Sequence, residues 1–226
     1  MNILAVDTTT YSGSVALLRS THLLGEINLE SPMTHSEKLL PAVDFILRKN
    51  GMEILDIEGF ALAVGPGSFT GIRIGLSTVR AFSSASGKPI APVSTLEALA
   101  FKLRGEQRRL LSPLLDAKKE ELYAALFEYR RGDLKELVPQ GVYNPDRFFS
   151  LLPSNRSIYF IGSGVSVYKQ KIFDYFKDKA RLSRRSLFIA HEVGLLGYES
   201  LKNKKGKNYR EVEPLYFRKS QAEEKN

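Results

Sequence analysis

Ala63-Val64-Gly65-Pro66-Gly67-Ser68-Phe69-Thr70-Gly71-Ile72-Arg73-Ile74-Gly75 decides how the rest of the chain is read. Gly59–Val64 is a short apolar run with the character of a strand covered on both faces. Gly65, Gly67 and Gly71 then allow a tight turn and close backbone approach, and a helical pattern continues to about Ser86. A strand, a glycine loop and a helix start together place free N–H groups where anions bind. Two standard nucleotide loops nevertheless fail here. A phosphate-binding Walker loop needs Lys-Ser or Lys-Thr after its last glycine, and Ile72-Arg73 stands there. A dinucleotide fingerprint needs glycine where Thr70 stands, and an acid where Lys88–Val93 has none. The turn therefore reads either as close packing or as an anion contact.

The helix that follows carries Gly71, Gly75, Thr78, Phe82 and Ala85 at alternating spacings of 4 and 3. A second stripe holds Ile72, Leu76, Val79 and Ser83, and polar residues are mainly Arg73, Ser77, Arg80 and Ser84. A helix apolar or small around most of its girth is covered on more than one side. We read the small stripe as an interface that admits a helix of another chain, with packing inside the lobe as the alternative.

Upstream, Ile3–Val6, Ser14–Leu18 and Leu23–Leu29 read as an antiparallel meander. Thr34-His35-Ser36-Glu37 is a capping-box pattern opening a helix with the stripe Leu39, Leu40, Val43, Ile46 and Leu47. Pro41 should kink that helix or delay its regular start. Phe45 sits between Asp44 and Arg48 on its polar flank, a further interface candidate with His35 and Leu39. Downstream come a strand at Pro89–Val93 and a short helix at Thr95–Leu103. After the polar Gln107–Arg109 the pattern restarts: strands at Pro113–Ala117, Leu122–Tyr129 and Leu134–Val138, and a helix at Asp146–Leu152. A strand at Ile158–Gly162, a helix from Val165 to Lys177 and a final helix at Ile189–Lys202 complete it. The pattern predicts an α/β protein of two lobes, 1–104 and 105–226, each a mixed sheet with flanking helices around a cleft. The last helix, about 189–202, is free to pack back on the first lobe.

Composition narrows the chemistry. The 226 residues contain no cysteine, which excludes disulfides, thiolate catalysis and Cys-held zinc and fits a cytoplasmic setting. The start lacks a basic leader region and carries Asp7 where a signal peptide needs apolar residues. The longest uncharged run spans the 14 residues between Glu58 and Arg73, short of the about 20 that a membrane helix requires, so no membrane span is expected. Net charge is +8, but residues 1–100 hold 7 Lys/Arg against 9 Asp/Glu, so the excess lies in the remainder. Lys202, Lys204, Lys205, Lys207 and Arg210 are its densest cluster: either a solvated helix end or contacts for the phosphates of a nucleic acid.

Asp7-Thr8-Thr9 ends the first strand and would suit magnesium or a phosphate; the alternative is a turn capping its own backbone. Asp116-Ala117-Lys118-Lys119 is a similar arrangement in the second lobe, and Gly162-Ser163-Gly164 before a helix would bracket a nucleotide. His22, His35 and His191 lie far apart, and Leu195 stands where a zincin helix would place its second histidine. Ser68 is not in a G-x-S-x-G elbow, and no nucleophile–base pair follows from spacing.

Five segments together resemble the TsaB (YeaZ) family. These are Ile3-Leu4-Ala5-Val6-Asp7-Thr8-Thr9, His35-Ser36-Glu37-Lys38-Leu39-Leu40-Pro41, the glycine segment from Ala63 to Gly75, Asp116–Ala124, and Glu213-Pro214-Leu215-Tyr216-Phe217-Arg218. The resemblance implies a two-lobed actin/sugar-kinase/heat-shock-chaperone-like (ASKHA) fold and a cytoplasmic role in tRNA threonylcarbamoyladenosine formation beside the anticodon. It implies a non-catalytic scaffold for TsaD, the metal-holding transferase, with the ATPase TsaE joining, a homodimer when TsaD is absent, and tRNA reached through the complex. No cofactor of its own is implied, and ATP or ADP would belong to the complex. Ser94-Thr95-Leu96-Glu97-Ala98-Leu99 lies where the sister family carries H-x-x-x-H metal ligands, and it has none. The helices after Thr34 and Phe69 match those through which the family pairs. The alternative is a Mg-ATP-dependent phosphotransferase of the same fold, using Asp7 and Asp116.

Overall fold

The computed structural model describes residues 1–29, 35–105, 109–130 and 132–218. The Thr34 cap, the His35 side chain and Gln107 lie outside what it describes. In chain order the elements are β1 (Asn2–Asp7), β2 (Ser14–Arg19), β3 (His22–Asn28), α1 (His35–Lys49), β4 (Gly59–Ala63), α2 (Phe69–Ser86), β5 (Ile90–Val93) and α3 (Thr95–Lys102). They continue with β6 (Arg109–Lys118), β7 (Glu121–Arg130), β8 (Asp133–Tyr143), α4 (Pro145–Ser150), β9 (Ile158–Ile161), α5 (Ser163–Val167), α6 (Lys169–Phe176), β10 (Ala180–Leu182) and α7 (Ala190–Lys202).

Two compact units result. The first comprises Met1–Thr95 with Phe188–Tyr216, and the second Leu96–Leu187 with Phe217 and Arg218. The division therefore falls nine residues before the 104/105 boundary read from the sequence, and the chain returns to the first unit after Leu187. The reason is packing. α7 lies over β1, β2, β4 and β5, and two glycines bring it close: a Cβ on Gly194 would sit 2.3 Å from Leu18 Cδ1, and one on Gly197 2.4 Å from the Ala61 Cβ.

In the first unit the sheet order is β3-β2-β1-β4-β5. β1, β2 and β3 pair antiparallel, whereas β4 joins β1 and β5 joins β4 in parallel. α2 and α7 both contact β1 and β4, so β1 and β4 read as nearly continuous apolar runs. Leu4, Val6, Phe60, Leu62, Leu76 and Val79 form the heart of this core.

The second unit repeats the mixed pattern in the order β10-β9-β6-β7-β8. Its core gathers Leu114, Leu126, Phe148, Phe149, Phe160 and Phe176, with the Phe149 and Phe176 rings edge-to-face at 5.9 Å. β6 and β8 run longer than their apolar segments suggest, because ladder pairing carries β8 through Pro139 to Tyr143. The single helix expected from Val165 to Lys177 is two helices meeting at Tyr168, whose hydroxyl donates to the Glu121 carbonyl. β10 has no counterpart in the sequence reading; three residues are too few to show a period.

Candidate functional site

The Asp7-Thr8-Thr9 turn and the glycine loop are built into each other. Asp7, Thr8 and Thr9 are all 0% exposed. Asp7 Oδ1 accepts from the Thr9 amide at 2.9 Å and from the Thr9 hydroxyl at 2.7 Å, an Asx turn closed on its own strand end. The Thr8 hydroxyl donates to the Gly71 carbonyl at 2.7 Å, and the Ser68 amide donates to the Thr9 carbonyl at 2.7 Å. Thr95 Oγ1 donates to Thr9 Oγ1 at 3.0 Å, and its amide to the Gly65 carbonyl at 2.8 Å. Ser68 Oγ caps α2 by accepting from the Gly71 amide. From the far end of the unit the Leu215 amide donates to the Val64 carbonyl, placing Tyr216 against Phe69 with ring centroids 4.6 Å apart. Thr95, Leu215 and Tyr216 were not singled out from the sequence as parts of this loop; only contact across the fold reveals their role.

The glycines of the loop serve this packing. A Cβ on Gly67 would lie 2.1 Å from the Thr9 carbonyl oxygen, and one on Gly71 2.0 Å from that of Thr8. Of the two readings of the turn, close packing is the one realised. Asp7, Thr8 and Thr9, expected as nucleotide or magnesium contacts, are buried in this unit, where hydrogen bonds engage Asp7 Oδ1 and the Thr8 and Thr9 hydroxyls.

α2 accordingly has an inner and an outer face, and the interface assignment needs correction. Gly71 and Gly75 face inward: a Cβ on Gly75 would meet Thr8 Oγ1 at 2.5 Å and Leu62 Cδ1 at 3.3 Å. Leu39 is 1% exposed and belongs to the core beneath α1. These three residues cannot touch another chain. Thr78 and Phe82 are half-buried, Phe82 stacking on Phe60 at 6.1 Å, and Ala85 is exposed. The outer strip of α2 is Ser77, Ala81 and Ala85, all exposed at a spacing of four. On α1, which contacts α2, Leu40 is 54% and Phe45 55% exposed, the latter under Lys49 Nζ at 5.6 Å. The outer strip was obscured in the sequence because both sides of α2 carry small residues at helical spacing.

In the second unit Gly162 and Gly164 also pack inward, their missing Cβ atoms leaving room for the backbone of Leu114 at 2.1 and 3.2 Å. The Asp116 carboxylate is held on both oxygens by Lys118: Oδ1 accepts from its amide and Oδ2 from its Nζ at 2.7 Å. That hydrogen bond raises the Lys118 pKa above its ordinary value. Lys202, Lys204, Lys205, Lys207 and Arg210 are all exposed. Among the described residues, no three His, Asp or Glu side chains converge to hold a metal ion, and no helix is long and apolar enough to cross a membrane.

The chain is similar to known proteins in sequence and in fold. Residues 30–225 match the family model described as TsaD, tRNA N6-adenosine threonylcarbamoyltransferase. The tRNA threonylcarbamoyladenosine biosynthesis protein TsaB of Bacillus subtilis (strain 168) is 33% identical over 228 residues, covering 100% of this chain and 97% of that protein. Among solved structures, an uncharacterized Pseudomonas aeruginosa protein described as similar to peptidase YEAZ superposes with a TM-score of 0.85. It is 26% identical, with 96% of this chain and 99% of that chain covered. The ROK hexokinase of Thermus thermophilus, at 13% identity, 89% and 100% coverage and a TM-score of 0.51, shares the fold alone and places it in the ASKHA class. Two mixed sheets in the same strand order, a glycine loop closed on an Asp-Thr-Thr turn, and full-length similarity lead to one assignment: the chain belongs to the TsaB family.

Proposed function

We propose that this protein acts in tRNA threonylcarbamoyladenosine biosynthesis as a non-catalytic scaffold that docks and activates TsaD through the outer faces of α1 and α2. The observation that carries the reading is the exposure of Phe45 and Leu40 beside an outer α2 strip of Ser77, Ala81 and Ala85. Small residues at a spacing of four let a second helix approach closely. Burying one Phe side chain contributes about 1.5–3 kcal/mol, and aromatic anchors of this kind dominate interface energetics. With TsaD absent, the same face would pair two copies of this chain. TsaE would join the assembled complex, tRNA would meet the exposed Lys202–Arg210 cluster there, and ATP or ADP belongs to the complex rather than to this chain. The phosphotransferase alternative is not favoured, because Thr9 already engages Asp7 Oδ1 and Lys118 engages both oxygens of Asp116, the two residues it would use to hold magnesium.

Coexpression with the TsaD-like protein of the same source tests the reading. A stable complex, and tRNA modification that stops when this chain is withheld, are the expected results. Separate elution of the two proteins together with undiminished modification would reject it.

A further inference from the structure

Two residues of the outer strip of α2, Ser77 and Ala81, help line a shallow groove of about 530 Å³, together with Arg80, Ser84, Tyr209 and Arg210. Among the described residues, its two charged residues are both arginines and no carboxylate lines it. Arg80 is fixed in place: its Nη2 donates to the Val212 carbonyl, while its Nε–H is shut off from solvent and meets no acceptor. Arg210 Nε donates to the Tyr209 hydroxyl oxygen at 3.0 Å. The Tyr209 hydroxyl pKa lies below its ordinary value, chiefly through a hydrogen bond with Ser84 and then through Arg210. The groove is thus lined by a cation pinned to Val212, a second cation held by Tyr209, and the hydroxyls of Ser77, Ser84 and Tyr209.

We infer that this groove binds a phosphate group, held between the guanidinium groups of Arg80 and Arg210. Guanidinium forks match phosphate oxygens in charge and geometry, and a groove with two positive groups and no negative one concentrates anions. The phosphate comes from a small phosphorylated molecule or from a polynucleotide backbone. The site needs only this chain, but it shares Ser77 and Ala81 with the proposed docking face, so it is tested on the isolated protein.

The isolated protein, isotopically labelled, is titrated with inorganic phosphate, with pyrophosphate and with unmodified tRNA while the amide signals of Ser77, Ala81 and Ser84 are followed. Arg210→Gln is the principal variant because its side chain is exposed; Arg80→Gln is the second, and Arg48→Gln on α1 the control. The expected result is saturable movement of those signals, with affinity at least tenfold weaker in both groove variants and unchanged in the control. Response to the inorganic anions assigns a small phosphorylated ligand. Response to tRNA alone, with a salt dependence made shallower by each groove variant, assigns the polynucleotide backbone. Silence at these amides with every probe, or a response that Arg210→Gln leaves intact in a folded protein, overturns the inference.

Discussion

The Gly75 Cα and the Thr8 hydroxyl are so close that a Cβ on Gly75 would lie 2.5 Å from Thr8 Oγ1, the atom that donates to the Gly71 carbonyl. One threonine therefore fixes the first turns of α2 onto the end of β1. Adding methyl groups here should be costly, and the cost should depend on what each one strikes. Gly75→Ala meets the tip of a side chain, and overpacking of that kind costs about 1–3 kcal/mol. In a Thr8→Ala background the obstruction is gone, so a double-mutant cycle by urea denaturation should show coupling of about 1 kcal/mol in favour of the double variant. Strict additivity would mean that the contact does not carry the strain.

Gly71→Ala is the harsher change, since its methyl group would lie 2.0 Å from the Thr8 carbonyl oxygen, which is backbone. We expect a loss of about 3 kcal/mol, at the upper end of overpacking costs, and no rescue by Thr8→Ala. A melting temperature within a degree or two of the parent would contradict the packing described for the loop.

The helix returning from the C-terminal part should be indispensable to the first unit. A fragment of residues 1–104 lacks α7 and leaves the sheet face that contacts it uncovered. It should show no cooperative thermal transition and should associate through exposed apolar surface. The same fragment with residues 188–216 supplied should recover the transition. A sharp unfolding transition from the fragment by itself would argue against the division of units.

Burial, and secondarily the nearby Glu136, raises the pKa of Glu97 above the ordinary carboxylate range. The folded protein therefore holds this proton to higher pH than the unfolded chain does. Stability from this group is full at low pH and is lost as pH rises from the unfolded pKa through the folded one. Glu97→Gln cannot lose that proton, so its stability relative to the parent should improve between pH 4 and pH 7. A difference between the two proteins that is flat with pH, or that runs the other way, would show that burial does not control this carboxyl.

Much of this was legible in the chain. The meander, the strand–glycine loop–helix unit and the segment-by-segment family resemblance are local patterns of residue type. What was not legible depends on partners distant in sequence. α2 carries small residues on two faces, and only Thr8, 63 residues from Gly71, shows that the glycine face is the inner one. Leu39 and Leu40 are adjacent leucines, yet one is core and the other surface. Asp7 and Asp116 look alike as metal or phosphate ligands in sequence, yet Asp7 is buried with Oδ1 bonded to Thr9, and Asp116 is paired with Lys118, each partner two positions on. The Arg80–Arg210 groove joins residues from opposite ends of the first unit, a proximity that no spacing rule conveys.

The docking claim is tested most directly by charging the outer face without touching the inner one. Phe45→Asp and Ala81→Arg alter exposed positions, so each variant alone should melt as the parent does. Size-exclusion chromatography with the TsaD-like partner should then show co-elution for the parent and at least a tenfold loss of affinity for the double variant. Undiminished co-elution of the folded double variant would contradict the account.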